Sequence, residues 1–416
     1  MIKIVNKWLC VMLLALSLSG CWDQREIEKR AYVYALGMDK SKDKGKFTIT
    51  LMIVNPEYGS QVQGGGGSDE PPYEAITFEA NDLISARNLA NSVVAKEITY
   101  DLLRVIIVSE DLAREKQFIR LFYDVTKDRE IRRDDYFIVT KENVSEFFLK
   151  NKPKLETRVH KYYELILKRG IETGMIPDSE VNRFFRVTEA DAELYLAIYG
   201  TTEKDKKDSN QEEDQVFAGQ FNARGETNVT QFLGSAVFKE GKMIGKLTGE
   251  ETRLSIMLNN TLHMSDVITT VPDPFNEKYQ LAARFTKIRD NKIKMDLKNG
   301  PGVIDVTIPL HVEILSDHSM VNYAKDAKKR AKLKKSIEER LSKKLENFVK
   351  KTQEEFKGEP FGWSLIARNK FQTIPEYEKF DWMKSYPNMK VNIHLDVKYG
   401  EFGRQTELPN LKKVRD

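Results

Sequence analysis

Cysteine is nearly absent from this chain: 416 residues contain only Cys10 and Cys21. The body beyond residue 21 therefore holds no thiol, which excludes disulfides and cysteine-based zinc sites from it. Histidine is scarce too. His160, His263, His311, His318 and His394 are scattered and form no HExxH pair. His311 and His318 are close in sequence, but two histidines without an acidic partner pattern do not make a metal site. No GxSxG nucleophile elbow occurs. The stretch GKMIGKLTGEE superficially suggests a phosphate loop, yet Glu240 and Leu247 stand where glycine and Ser/Thr are required. It reads better as a hairpin turn running into a helix cap. QGGGGS (Gln63 to Ser68) lacks both the lysine and the helix start, and reads as a flexible loop. Carboxylates are plentiful, but none is singled out as an acid–base pair. The sequence reads as a non-enzyme, with no catalytic residue, cofactor or metal.

Long apolar runs are missing as well. Trp8 to Leu18 is too short to cross about 30 Å of hydrocarbon, and no later stretch qualifies. A net charge of +4 is too small to argue for nucleic acid. With 40% hydrophobic and 31% charged residues, the remainder has the composition of a globular body.

The chain does carry a leader. Lys3 and Lys7 form a positive n-region and Trp8 to Leu18 an apolar h-region, and small residues precede Cys21. Leu18-Ser19-Gly20-Cys21 has the form of a bacterial lipobox. That pattern predicts cleavage after residue 20 and a mature chain beginning at Cys21, with S-diacylglycerol on the thiol and an N-palmitoyl group on the amine. Two or more acyl chains anchor a protein stably, where one binds only marginally. Cys10 lies within the h-region and is discarded with residues 1–20.

The body reads as an α+β, multidomain chain of mixed sheets packed with helices. Residues 21–200 form an N-terminal mixed α/β region, 201–228 a charged linker, and 229–416 a C-terminal α+β domain. Ala31 to Asp39 and Lys46 to Val54 predict a hairpin. LLRVIIV, starting at Leu102, predicts a buried strand, and Ser109 a capping-box start of a helix to about Thr126. The strand DDYFIVT and a helix near Val144 to Lys150 follow, and the residues from there to about Gly200 read as mostly helical. TEKDKKDSNQEEDQ is nearly free of apolar residues and predicts an exposed linker. A hairpin (Thr230 to Lys239, Lys242 to Lys246), a helix near 249–259, three strands, and a long helix from Met320 to Phe356 follow, with a last strand from Lys390 to Lys398.

Two charged features stand out. TKDREIRRDDYFIVT crowds Asp128, Arg129, Glu130, Arg132, Arg133, Asp134 and Asp135 between a helix and a strand. Exposed ion pairs contribute under about 1 kcal/mol each, so the run reads first as a helix–strand corner and second as a docking surface. In the long helix, Leu333, Ile337, Leu341, Leu345 and Phe348 make one apolar stripe, while Ser319 to Lys357 carry 13 Lys/Arg against 6 Asp/Glu. The stripe predicts packing on the C-terminal sheet. The basic excess raises a second reading, attraction to anionic lipid.

In their order behind the lipobox, CWDQREIEKRAYVYALGMD, LLRVIIVSEDLAR, DREIRRDDYFIVT, GSAVFKEGKMIGKLTGEET and FGWSLIARNKF…DWMKSYPNMKVNIHLDVKYG resemble the Ger(x)C spore germination lipoproteins. Tyr377 departs from the pattern, which has tryptophan after the IP of Ile374-Pro375. The resemblance implies a non-enzymatic C subunit of a nutrient germinant receptor, built from mixed α/β domains. It also implies placement on the outer face of the spore inner membrane beside a multipass A subunit and a transporter-like B subunit. Cys21 is the only site residue it brings. The rival reading is a lipid-anchored solute-binding protein with a cleft between two lobes. It is disfavoured by the weak β-α-β alternation of the C-terminal half.

Overall fold

The computed structural model describes Trp8 and residues 29–43, 45–54, 71–190, 192–206, 214–264, 266–298 and 300–402. Among these, no helix is long and apolar enough to cross a membrane. The fold is mixed α and β, as its sequence predicts, and is organised by two sheets.

The N-terminal part contains β1 (Arg30–Lys40), β2 (Phe47–Val54), β3 (Tyr73–Ala80), α1 (Leu83–Ala90), β4 (Glu97–Thr99), β5 (Val105–Ser109), α2 (Glu110–Ala113) and α3 (Phe118–Phe122). It continues through β6 (Tyr136–Thr140), α4 (Val144–Lys150), α5 (Val159–Glu172), α6 (Val181–Ala190) and β7 (Tyr195–Thr201). Next come β8 (Gln231–Lys239) and β9 (Lys242–Leu247). These strands form one nine-stranded sheet in the order β3-β2-β1-β5-β6-β7-β8-β9, with β4 also on β1. β1, β5, β6 and β7 are parallel, and antiparallel hairpins extend both edges.

Parallel central strands must be covered on both faces, so they read as continuous apolar runs rather than alternating ones. VIIV of β5 shows this. Ile106 and Val108 face a core with Phe118, Phe122, Phe137 and Phe184, while Val105 and Ile107 face another with Phe147, Tyr163 and Leu167. Gly37 lets α4 close in on the second face, since a Cβ there would stand 2.6 Å from Val144 Cγ1.

The C-terminal part adds α7 (Gly249–Leu258), β10 (Val267–Pro272), β11 (Gln280–Lys287), β12 (Lys292–Asp296), β13 (Val303–Asp317) and α8 (Ala327–Lys351). It ends with α9 (Trp363–Arg368), α10 (Ile374–Phe380), α11 (Trp382–Ser385) and β14 (Lys390–Phe402). β13 is central to the second sheet: β11 and β12 pair along one edge, and β14 runs parallel along the other. Alternation is clean here, with Ile304, Val306, Ile308, Leu310, Val312 and Ile314 all inward. Leu333, Ile337, Leu345 and Phe348 of α8 complete the same core, with Leu341 half-buried against it. The long helix therefore packs its stripe on the C-terminal sheet, and is shorter than the span expected from Met320 to Phe356.

Three expectations need correction. The hairpin assigned to the C-terminal domain belongs to the first sheet, because β8 pairs with β7 from Tyr195↔Phe238 to Thr201↔Gln231. A boundary near residue 229 therefore cuts a sheet. The segment 201–228 is also not uniformly exposed: Thr201, Thr202, Asp214, Val216 and Ala218 are buried. Residues 207–213 lie outside the described residues. Finally, the helix expected from Ser109 to Thr126 is broken into short turns, and Ser109 makes no side-chain cap bond. Glu110, which begins it, is drawn instead to Tyr199, Arg114 and Lys246.

Candidate functional site

Cys21 and Cys10 lie outside the described residues, as do Gln63 to Ser68. The first described residues beyond Cys21 are Lys29 and Arg30. Arg30 opens β1, pairs in register with Glu97, and holds Asp101 at 2.7 Å.

Open parallel sheets place ligands at the carboxyl ends of their strands. Here that end carries three buried or half-buried carboxylates, Asp39, Glu110 and Glu142, and each is saturated from within. Asp39 accepts from the Val144 amide at 2.9 and 3.1 Å, capping α4 from 105 residues away. Glu142 accepts from Thr201 Oγ1 (2.6 Å), Thr202 N (2.6 Å) and Thr202 Oγ1 (2.5 Å). Glu110 accepts from Tyr199 and Arg114, with Lys246 at 3.3 Å. Burial pushes Asp39 up from the usual carboxylate range, against its hydrogen bonds. These hydrogen bonds tie the carboxyl ends of the strands to neighbouring elements.

The seam between the two sheets holds a second polar set. Helix α7 is its axis and is buried over its whole length except for Glu250 and Glu251. Its start is the helix cap expected from GKMIGKLTGEE, in the form of a capping box: Thr248 Oγ1 accepts from Glu251 N (3.2 Å) and Glu251 accepts from Thr248 N (3.0 Å). Arg253 donates to Asp214 (2.9 Å) and to the Thr173 carbonyl (3.1 Å). Glu250 takes Lys344 of α8, and Glu251 takes Lys351. On the other side of α7, Glu359 is fully buried and accepts from Phe361 N, Ser364 N and Trp382 Nε1. Ser364 Oγ donates to Glu193 at 2.5 Å. Burial, and then the neighbouring Glu193, hold the Glu359 carboxyl well above its ordinary range. These groups are structural fastenings, and apolar contacts of Leu194, Leu196, Val237 and Leu247 with the C-terminal core surround them.

A groove of about 1160 Å³ runs between α5, the segment before β8, and β10. Leu165, Phe221 and Ile268 are exposed along it, and the Asp214–Arg253 pair forms part of its floor. That pair is satisfied internally, and Lys154, Lys168, Arg169, Glu172 and Glu226 also line the groove.

The charge run before β6 forms the expected corner. Glu130 accepts from Arg87 (2.8 Å), Thr99 Oγ1 (3.0 Å) and Tyr100 N (2.9 Å). Arg132 clasps Asp134. Asp135 is buried: its Oδ2 accepts from Arg132 N while Oδ1 finds no donor, and burial followed by the adjacent Asp134 pushes it up to about 7. Sequence reasoning missed the Asp214–Arg253 fastening. Arg253 lies directly before the apolar run of Leu254, Ile256, Met257 and Leu258, which was a visible signal, but its partner sits in the stretch read as solvated. The five histidines are not brought together, and no three His, Cys, Asp or Glu could share a metal among the described residues.

Comparison with known proteins agrees with this architecture. Residues 23–200 match the model of the spore germination protein N-terminal domain, and 233–403 that of the spore germination B3/GerAC-like C-terminal domain. Spore germination protein KC of Bacillus subtilis (strain 168) is 26% identical over 98% of this chain and 97% of its own length. Spore germination protein B3 of the same strain is 20% identical over 96% and 99%. The crystal structure of the GerBC protein superposes with a TM-score of 0.52, at 18% identity, covering 88% of this chain and 96% of that one. With both family regions present in order and spanning most of its length, this chain belongs to the GerAC-like spore germination protein family.

Proposed function

We propose that this chain is a lipid-anchored, non-enzymatic subunit of a nutrient germinant receptor. Cys21 tethers it to the outer face of the spore inner membrane, where it works with multipass A and transporter-like B subunits. The observation that carries the reading is the pair of family regions, 23–200 and 233–403, directly behind a lipobox ending at Cys21. The internally saturated carboxylates at the strand ends support a binding or scaffolding role over catalysis. The apolar seam supports one connected body, not the two hinged lobes of a solute-binding protein.

The test is made in spores. Deletion of the chain should abolish or slow germination on one class of nutrient while leaving germination triggered without nutrients intact. Affinity capture from dormant-spore membranes should recover two membrane subunits. Normal nutrient germination in the deletion strain, with no other copy of the family present, would refute the proposal.

A further inference from the structure

The chain enters the first sheet at Arg30, only nine residue steps after Cys21. Even fully extended, nine steps reach roughly 30 Å. A folded body of this length has a radius of gyration on the order of 20 Å, hence a diameter above about 50 Å. A lipid on Cys21 therefore fixes which side of the body lies near the bilayer: the side carrying Arg30, at the amino-terminal end of the parallel strands.

That side carries unpaired apolar surface. Val93 is 78% exposed, Leu89 51% and Leu102 47%. Val93 and Leu89 close α1 and its turn into β4, whose Glu97 pairs with Arg30. Leu102 follows Asp101, the residue that Arg30 grips. Lys96 is exposed beside them, and so is Glu97.

The rival surface is the basic half of α8, and it is carried away from this end. Lys239 Nζ donates to the Lys357 carbonyl at 2.9 Å, just past the end of α8. Lys239 ends β8 beside the start of β7, at the same end of the sheet as Arg30. Lys344 already reaches back to Glu250, beyond the opposite end of β9. The 25 residues of α8 span about 37 Å, so Lys328 and Lys332 lie at the far end.

We propose that Leu89, Val93 and Leu102 rest on the bilayer surface, so that the tether and an apolar contact patch together set the orientation of the subunit. The inference rests on the lipid anchor proposed above. Shallow apolar contact of this kind reaches about 5–10 Å into the headgroup boundary.

The lipidated full chain provides its own labelling chemistry, because the lipid occupies the Cys21 thiol and no other cysteine follows. Val93→Cys, Leu102→Cys and Lys328→Cys would each be labelled with a fluorophore in vesicles of phosphatidylglycerol and phosphatidylethanolamine carrying nitroxide lipid. The expected result is loss of most fluorescence at 93 and 102 and none at 328. Equal quenching at all three sites, or quenching at 328 alone, would overturn the orientation while mass spectrometry still shows lipid on Cys21. A Cys21 without lipid would instead overturn the anchor, and the orientation with it.

Discussion

Arg253 Nη1 lies 2.9 Å from Asp214 Oδ2, with the two side chains only 7% and 8% exposed. Removing one member of such a pair leaves a buried charge, which costs about 3–5 kcal/mol, whereas replacing both by apolar groups is often close to neutral. Asp214→Ala should therefore destabilise the protein by about that amount. Adding Arg253→Met should restore most of it in urea titration. Equal stability of Asp214→Ala and wild type would mean that the pair is dispensable.

Asp135 predicts a dependence on pH. In the folded chain its carboxyl keeps its proton up to about 7, against an ordinary value of 3.8. Between those values the folded state binds more protons than the unfolded one, so stability falls as pH rises through this window. The contribution is fully present below about pH 4 and is lost by about pH 7. Asp135→Asn, which cannot ionise, should flatten that slope, with a differential on the order of 3 kcal/mol across the window. Chemical denaturation at pH 4, 5.5 and 7 would show it, and parallel curves for the two proteins would contradict it.

Trp363 is fully buried in the C-terminal core and donates from Nε1 to the Leu258 carbonyl at 3.2 Å. Trp363→Ala should cost about 3–5 kcal/mol through the cavity it leaves. Trp363→Phe should cost less, leaving the carbonyl short of its donor. Lys328→Glu with Lys332→Glu should move the melting temperature little, since both side chains are exposed.

The anchor is tested by Cys21→Ala. That protein should lose labelling by a fatty-acid analogue and shift from the membrane to the soluble fraction. Cys10→Ala should change neither. Membrane retention of an unlabelled Cys21→Ala protein made without its receptor partners would speak against the lipobox.

A protease site inserted between Ser209 and Asn210 should be cut readily, given the charged stretch around it, but the halves should stay together in gel filtration. β7 and β8 lie on opposite sides of the cut and remain paired. Free N- and C-terminal fragments under native conditions would contradict the shared sheet.

Much of this was legible from periodicity. The first hairpin, the helix Val144–Lys150, the strands β11 to β14 and the stripe of α8 all stand close to where pattern and capping place them. What escaped has physical reasons. YLAIYGT of β7 is apolar throughout because both its faces are buried, and such a run cannot be told from a buried helix by period. Ser109-Glu110 has the look of a cap, yet long-range partners claim the glutamate. Hairpin β8–β9 was recognised as a hairpin, but no local signal says which sheet it joins. The fastenings at Glu142 and Asp214, and the Ser364–Glu193 bond, escaped for the same reason, since each depends on residues distant in sequence.

The placement of β8 and β9 bears on where this chain could be joined to a relative. The second family region begins at residue 233, yet its first 15 residues complete the sheet of the first. A chimaera joined near residue 210 would graft a foreign edge onto β7 and ask two unrelated surfaces to match register. A junction after Leu247 leaves the sheet whole and moves the mismatch to α7, where the Arg253–Asp214 pair and the apolar contacts would have to be matched. Fusions between relatives should therefore fold best with a breakpoint near 247, some 15 residues inside the second family region.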